Sequence, residues 1–237
     1  MAGCYVIVTT RNILWMVLSV VATLAVITGI MTPKWLYGRP RIFDDVALES
    51  NSSEYVPPEA MYRPSIGIYN RCKKIHKMVG GDPVLNCYMY VTDFMDIPSH
   101  AWKACMVFLC FGTFLLAAVV IMSLIGFCVQ SIGKKSIFSL GGVIQAIAAL
   151  FLVIGLVLYP AGWSNEIVDK LCTRPSVQKP GAFVINDCSL GWAFYAVLGG
   201  TLSSFLCSLL SAQAEKSTSS DEVQDEISDG KTVICLI

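Results

Sequence analysis

Apolar residues in this chain are gathered into four windows, 12–31, 104–125, 140–158 and 190–210, and none of them contains Asp, Glu, Lys or Arg. A helix needs about 20 apolar residues to cross a bilayer core, so each window predicts one membrane span. Four buried helices of a soluble protein are the alternative, and too little polar sequence remains to cover them. The pattern predicts a membrane all-α four-helix bundle. Its expected parts are an N-terminal segment 1–11, spans over 12–31, 102–128, 138–159 and 190–211, a first loop 32–101, a short second loop 129–137, a third loop 160–189 and an acidic tail 212–237. The period changes within the first loop. Residues 62–72 and 85–91 alternate in a way that suits strands, with Gly80-Gly81-Asp82-Pro83 as the turn between them. A small antiparallel sheet is expected there.

Composition agrees with that reading. Hydrophobic residues make up 55% of the 237 positions and charged residues 14%. The formal net charge is zero, which argues against a nucleic-acid partner. The first apolar window is too long for a signal-peptide core and no small-x-small cleavage pattern follows it, so it reads as an uncleaved span. Orientation comes from the cysteines more than from Lys and Arg, because the first loop is basic yet too long for the positive-inside rule to weigh heavily. Cys72 and Cys87 fall in the first loop, Cys172 and Cys188 in the third. All four then share one side of the membrane, which fits an oxidising compartment. Asn51-Ser52-Ser53 is a glycosylation sequon in the same first loop. Both termini are expected in the cytoplasm, and the chain at the plasma membrane, with the endosomal or lysosomal membrane as the alternative.

No P-loop, dinucleotide fingerprint or nucleophile elbow occurs. His76 and His100 have no metal spacing with the cysteines, and the span cores hold no ionisable side chain, which pumps and transporters usually need. No catalytic residue, metal, cofactor or small-molecule substrate is expected. Trp35, Tyr37, Trp102, Tyr159 and Trp163 read as anchors at the membrane interfaces. The fourth span carries two rows of small residues, Ala196, Gly200, Ser204 and Ser208 beside Gly199, Ser203, Cys207 and Ser211. Such faces let helix backbones approach. They serve packing inside the bundle or docking of a partner helix. In the tail, Ser219 and Glu222 fit a capping box for a short amphipathic helix ending at Gly230. The apolar end, Thr232 to Ile237, has the form of a carboxyl-terminal ligand for a sheet edge, though Cys235 stands where such ligands usually carry Ser or Thr.

Trp35, then Gly67-Ile68-Tyr69 with Cys72, then Cys87, resembles the claudin-superfamily signature, with Ile and Tyr where that signature has Leu and Trp. The segments Gln130-Ser131-Ile132-Gly133-Lys134-Lys135, Tyr159-Pro160-Ala161-Gly162-Trp163, Asp187-Cys188-Ser189-Leu190-Gly191-Trp192 and Ser211-Ala212-Gln213-Ala214-Glu215 are similar to the lipoma HMGIC fusion partner-like tetraspans, and within them to the member-2 branch. The resemblance implies a four-helix bundle topped by a small extracellular sheet, a disulfide in the first loop and a non-enzymatic role. Relatives in that family act as auxiliary subunits of mechanotransduction channels or inhibitory neurotransmitter receptors.

Four loop cysteines allow three pairings. Pairing within each loop, Cys72–Cys87 and Cys172–Cys188, is preferred because the partners are near in sequence, and the first pair matches the superfamily. The expected function is an adaptor that assembles with, or aids trafficking of, a larger membrane protein: a channel, a receptor or an adhesion protein. Tyr62, Arg63, Arg71, Tyr88 and Tyr90 are the candidate contact residues, since Tyr and Arg are favoured at interface hot spots. A claudin-like cell-cell barrier is the second reading and a self-assembled channel the third.

Overall fold

The computed structural model describes residues 6–42, 61–75, 84–125, 131–132, 135–173, 181–218 and 233–236, together with positions 220, 223, 225–226 and 229. In chain order its helices are α1 (Thr10–Met31), α2 (His100–Ile125), α3 (Ile137–Ala161), the short α4 (Glu166–Cys172) and α5 (Trp192–Thr218). All but α4 are long and apolar enough to cross a membrane. In lipid a span must satisfy its own backbone, which is why these windows are helical. Their hydroxyl side chains are satisfied in the same way. Thr23 donates to the Ser19 carbonyl at 2.8 Å, Thr113 to Leu109 at 2.6 Å and Thr201 to Val197 at 2.7 Å, each one turn back along its own helix.

The chain divides into two compact units, and each of the four long helices contributes residues to both. The first comprises Met1–Ile27, Val107–Gly155 and Ala196–Ile237. At its core Trp15, Val119, Phe138, Cys207 and Ala214 pack together, drawn from all four long helices. The Trp15 and Phe138 rings meet edge to face at 5.5 Å. This unit also contains a parallel strand pair, β1 (Val6–Thr9) with β11 (Val233–Leu236), in the register Val6↔Val233 to Thr9↔Leu236. The last strand of the chain thus lies beside its first, and Ile234 is buried. The apolar end of the chain pairs its backbone groups over 233–236 with those of residues directly before α1. In the tail positions 223, 225 and 226 are helical, while Ser219, Glu222 and Gly230 lie outside the described residues.

The second unit comprises Thr28–Met106 and Leu156–Tyr195. It holds β2 (Leu36–Tyr37), β3 (Arg41–Ile42), β4 (Met61–Tyr62), β5 (Ser65–Ile66), β6 (Asn70–Ile75), β7 (Val84–Met89) and β10 (Ser189–Leu190). A five-stranded antiparallel sheet runs in the order β10-β2-β5-β6-β7, and β3 pairs with β4 beside it. The remaining strands, β8 (Ser131–Ile132) and β9 (Lys135–Ser136), form a small antiparallel pair between α2 and α3. The expected long strand over 62–72 is broken into three, because Pro64 and Gly67 interrupt the ladder. Gly67 is required at its bend: a β-carbon there would collide with the Asn70 side-chain oxygen and lie 3.1 Å from Pro33 Cα.

The third loop contains α4. Asn165 caps that helix, its Oδ1 accepting from the backbone N–H of Ile167 at 2.9 Å and of Val168 at 3.0 Å. Cys172 closes the helix and is joined to Cys188, the residue before β10. The interfacial anchors are also corrected. Trp35, Trp102 and Tyr159 are fully buried. Each indole N–H finds a carbonyl inside the protein, Trp35 that of Gly29 at 2.8 Å and Trp102 that of Tyr159 at 2.9 Å, so neither ring needs a wet interface.

Candidate functional site

Trp35 is the joint between helices and sheet in the second unit. Its backbone N–H donates to Ile66 O at 3.2 Å, and its carbonyl accepts from Gly191 at 2.7 Å. Its ring lies 4.8 Å from that of Tyr159 and 6.0 Å from that of Phe194. Tyr159 stacks on Trp102 at 5.4 Å and meets Trp163 edge-on at 6.1 Å. These rings form an aromatic floor under the sheet. Burying these large rings adds to the aliphatic core of Leu36, Ile66, Ile68 and Val168 in the same unit.

The signature residues hold the sheet to that floor. Asn70 donates from Nδ2 to the Met31 carbonyl, the last of α1, at 2.9 Å. Gly67 N–H donates to Asn70 O at 2.7 Å, which closes the bend and buries Ile68. Tyr69 places its hydroxyl 3.2 Å from Met31 Sδ. Tyr90 donates its hydroxyl to Ile68 O at 2.5 Å. Burial raises the Tyr90 phenol pKa well above its ordinary value, and the nearby Arg71 guanidinium opposes the rise only in part. Cys72 and Cys87 stand directly opposite one another in the β6–β7 ladder and are disulfide-bonded.

Of the candidate contact residues, the structure brings Arg71 and Tyr88 together. They are register partners, and the Arg71 guanidinium carbon lies 4.9 Å from the Tyr88 ring centre. Lys73 Nζ joins from two residues on, at 5.9 Å. This makes a small cation–π cluster on one face of the sheet. The Arg71 Nε is buried without a hydrogen-bond acceptor. Among the described residues the one salt bridge is Lys170 to Glu166 in α4, so neither Arg71 nor Lys73 has an acidic partner there. Tyr62 belongs to the separate β3–β4 pair and Arg63 follows it, exposed. Tyr90 is turned inward to the bend. Asn51 lies outside the described residues. Sequence reasoning passed over Leu85 and Met89, two exposed apolar residues of β7. The signal was present in part: they alternate with Asn86 and Tyr88 in an expected strand.

The family model for lipoma HMGIC fusion partner-like proteins matches residues 11–213. The chain is 45% identical over 234 residues to the LHFPL tetraspan subfamily member 2a protein of Danio rerio, covering 99% of this chain and all of that one. It is 43% identical over 235 residues to the member 2 protein of Homo sapiens, with 99% and 100% covered. The human member 4 protein is 32% identical over 127 residues, 53% of this chain and 48% of that one. The chain belongs to the LHFPL tetraspan family.

As an LHFPL tetraspan it is a multi-pass membrane protein. Burial varies along both small-residue rows of α5. Gly200 and Ser204 are buried and Ala196 and Ser208 partly so, whereas Gly199 is exposed and Ser203 half-buried. A β-carbon on Gly200 would lie 2.7 Å from Val26 Cγ2 and 2.9 Å from the Ala22 carbonyl, while one on Gly199 would meet nothing within 4 Å. At Gly200 α5 is therefore packed against α1 and at Gly199 it is open, while Cys207 and Ser211, further along the second row, are buried. Among the described residues no three of His, Cys, Asp and Glu cluster as metal ligands.

Proposed function

We propose that this LHFPL tetraspan is a non-enzymatic auxiliary subunit that assembles with a larger membrane protein and recognises it through the sheet. The observation that carries the reading is the Arg71–Tyr88–Lys73 cluster, cationic, aromatic and without an acidic partner among the described residues. Arg and Tyr are the residue types that dominate interface energies. Gln145 inside the third span, by contrast, is neutral and bonded to Trp15 and to Ser19. Such a network fixes helices and offers nothing to a substrate. One disulfide lies within the first loop and the other within the third; the two loops share one side of the membrane by parity of the spans, and an oxidising compartment suits them. The sheet then faces the cell exterior at the plasma membrane, with both termini in the cytoplasm.

The test is proximity labelling from this chain in living cells, followed by isolation in mild detergent. A stoichiometric larger membrane protein is expected, and it should be lost when residues 62–91 are replaced by those of a relative with another partner. Recovery that follows the spans and ignores the grafted segment overturns the sheet as the recognition surface. Paracellular strands visible by freeze-fracture would point instead to a barrier, and currents from the purified protein to a channel.

A further inference from the structure

The β7 strand ends the five-stranded sheet, and its backbone geometry states what its free side offers. Cys72 and Cys87 are register partners with Cα atoms 4.0 Å apart. That short spacing marks a pair whose backbone N–H and C=O groups point away from each other. The pattern alternates along the strand, so Val84, Asn86 and Tyr88 bond inward to β6, while Leu85, Cys87 and Met89 point outward. Tyr90 keeps the phase, its N–H donating inward to Tyr69 O at 3.1 Å. Three N–H and three C=O groups therefore line an edge that no other strand among the described residues covers.

Sheets usually protect such edges with short strands, Lys, Pro or bulges. The opposite edge, β10, is two residues long. β7 is six residues long and reads Val-Leu-Asn-Cys-Tyr-Met, with none of those devices. The residues whose backbone faces outward also share one sheet face, where Leu85 is 50% and Met89 64% exposed. The other face carries Tyr88 with the charges of Arg71 and Lys73 drawn over its ring.

Resting on the adaptor reading above, we propose that β7 is a strand-docking site for an extended segment of the partner in which apolar residues alternate with acidic ones. The apolar residues would cover Leu85 and Met89, the backbone would complete the ladder, and the carboxylates would lie on the Tyr88 face. There the Arg71 and Lys73 charges have no acidic partner among the described residues. A second copy of this chain is the wrong occupant, because paired β7 edges would bring two Arg71–Lys73 clusters together with no acid between them.

The experiment uses the full chain in lipid nanodiscs and a synthetic peptide of alternating Val and Glu, with its Val–Lys counterpart as control. Hydrogen exchange should slow at the Leu85, Cys87 and Met89 amides with the acidic peptide and not with the basic one. Arg71→Gln with Lys73→Gln should weaken that binding by about tenfold while leaving exchange at Cys72 unchanged. Met89→Pro, which removes an outward N–H that an edge strand can spare, should abolish the protection. Equal binding of both peptides, or protection elsewhere, overturns the proposal. So does protection of the three amides before any peptide is added, which would mean that a second copy or this chain itself already covers the edge. A partner recovered by labelling while these amides exchange freely overturns strand docking and leaves the adaptor reading standing.

Discussion

Trp15 in α1 donates its indole N–H to the Gln145 side-chain oxygen in α3 at 3.1 Å, with both residues buried. Gln145 Nε2 donates in turn to Ser19 Oγ at 2.7 Å, and Ser19 donates to the Trp15 carbonyl at 2.7 Å. Every link is neutral, and the circuit closes on a single turn of α1. It fixes the rotation of α3 about its own axis in a surface where aliphatic contacts alone would tolerate several.

Removing one member of the circuit leaves the rest unsatisfied in an apolar interior. Gln145→Leu should destabilise the protein by about 1–2 kcal/mol, since interhelical hydrogen bonds in membranes are modest. Trp15→Phe should cost a similar amount. The double variant should cost less than the sum, because both changes break the same bond. Thermal unfolding in detergent, followed through the three variants, reads this directly; strict additivity would show that the bond carries no coupling.

The two adjacent glycines of α5 give a matched pair. Gly200→Leu places bulk against Val26 and the Ala22 backbone, where overpacking typically costs about 1–3 kcal/mol. Gly199→Leu adds the same side chain into open space. The first should lower the yield of monodisperse protein and the second should not. Equal loss for both would show that α5 is sensitive to bulk everywhere, and the seam against α1 would not be the cause.

The paired termini predict a coupling between the two ends of the chain. Ile234 is buried in β11, and Thr9 Oγ1 lies 2.9 Å from Ser217 Oγ at the end of α5. Ile234→Asp buries a charge with no counterion among the described residues, so the strand should leave. Amide exchange at Val6–Thr9 should then accelerate, while the β6–β7 amides keep their protection. Unchanged exchange at Val6–Thr9 would separate β1 from β11 in solution.

The four spans were legible because lipid imposes one rule on every residue of a window, and composition alone reports it. Both disulfides were legible too, since each joins cysteines near in sequence, whereas the bend at Gly67 was read as continuous strand. What else was hidden shares one property: it depends on pairing across long separations. The β1–β11 pair joins residues more than two hundred positions apart, and no local pattern marks it. Trp35 and Trp102 look like membrane anchors in sequence because an aromatic at a span end is consistent with either fate. Only the position of Tyr159, Gly29 and Phe194 around them decides that they are core. The Arg71–Tyr88 contact was half visible: the residue types were apparent, the register that superposes them was not.

Tyr90 gives the sheet a predicted response to alkali. Burial holds its phenol pKa above the ordinary value near 10. The folded state therefore prefers the neutral phenol, and that preference strengthens folding fully below pH 10, where the unfolded chain is also neutral. As pH rises past 10 the unfolded chain gives up the proton first, so stability falls until the folded phenol also ionises. The hydrogen bond to Ile68 O goes with the proton, because a phenolate cannot donate it. Raising pH from 9 to 11 should therefore loosen the Gly67–Asn70 bend before the spans respond, read as faster amide exchange at Gly67 and Asn70 after correction for intrinsic rates. Tyr90→Phe should start less stable, having lost the bond, and should show a shallower decline over the same interval. An equally steep decline in Tyr90→Phe would assign the alkaline sensitivity to another group.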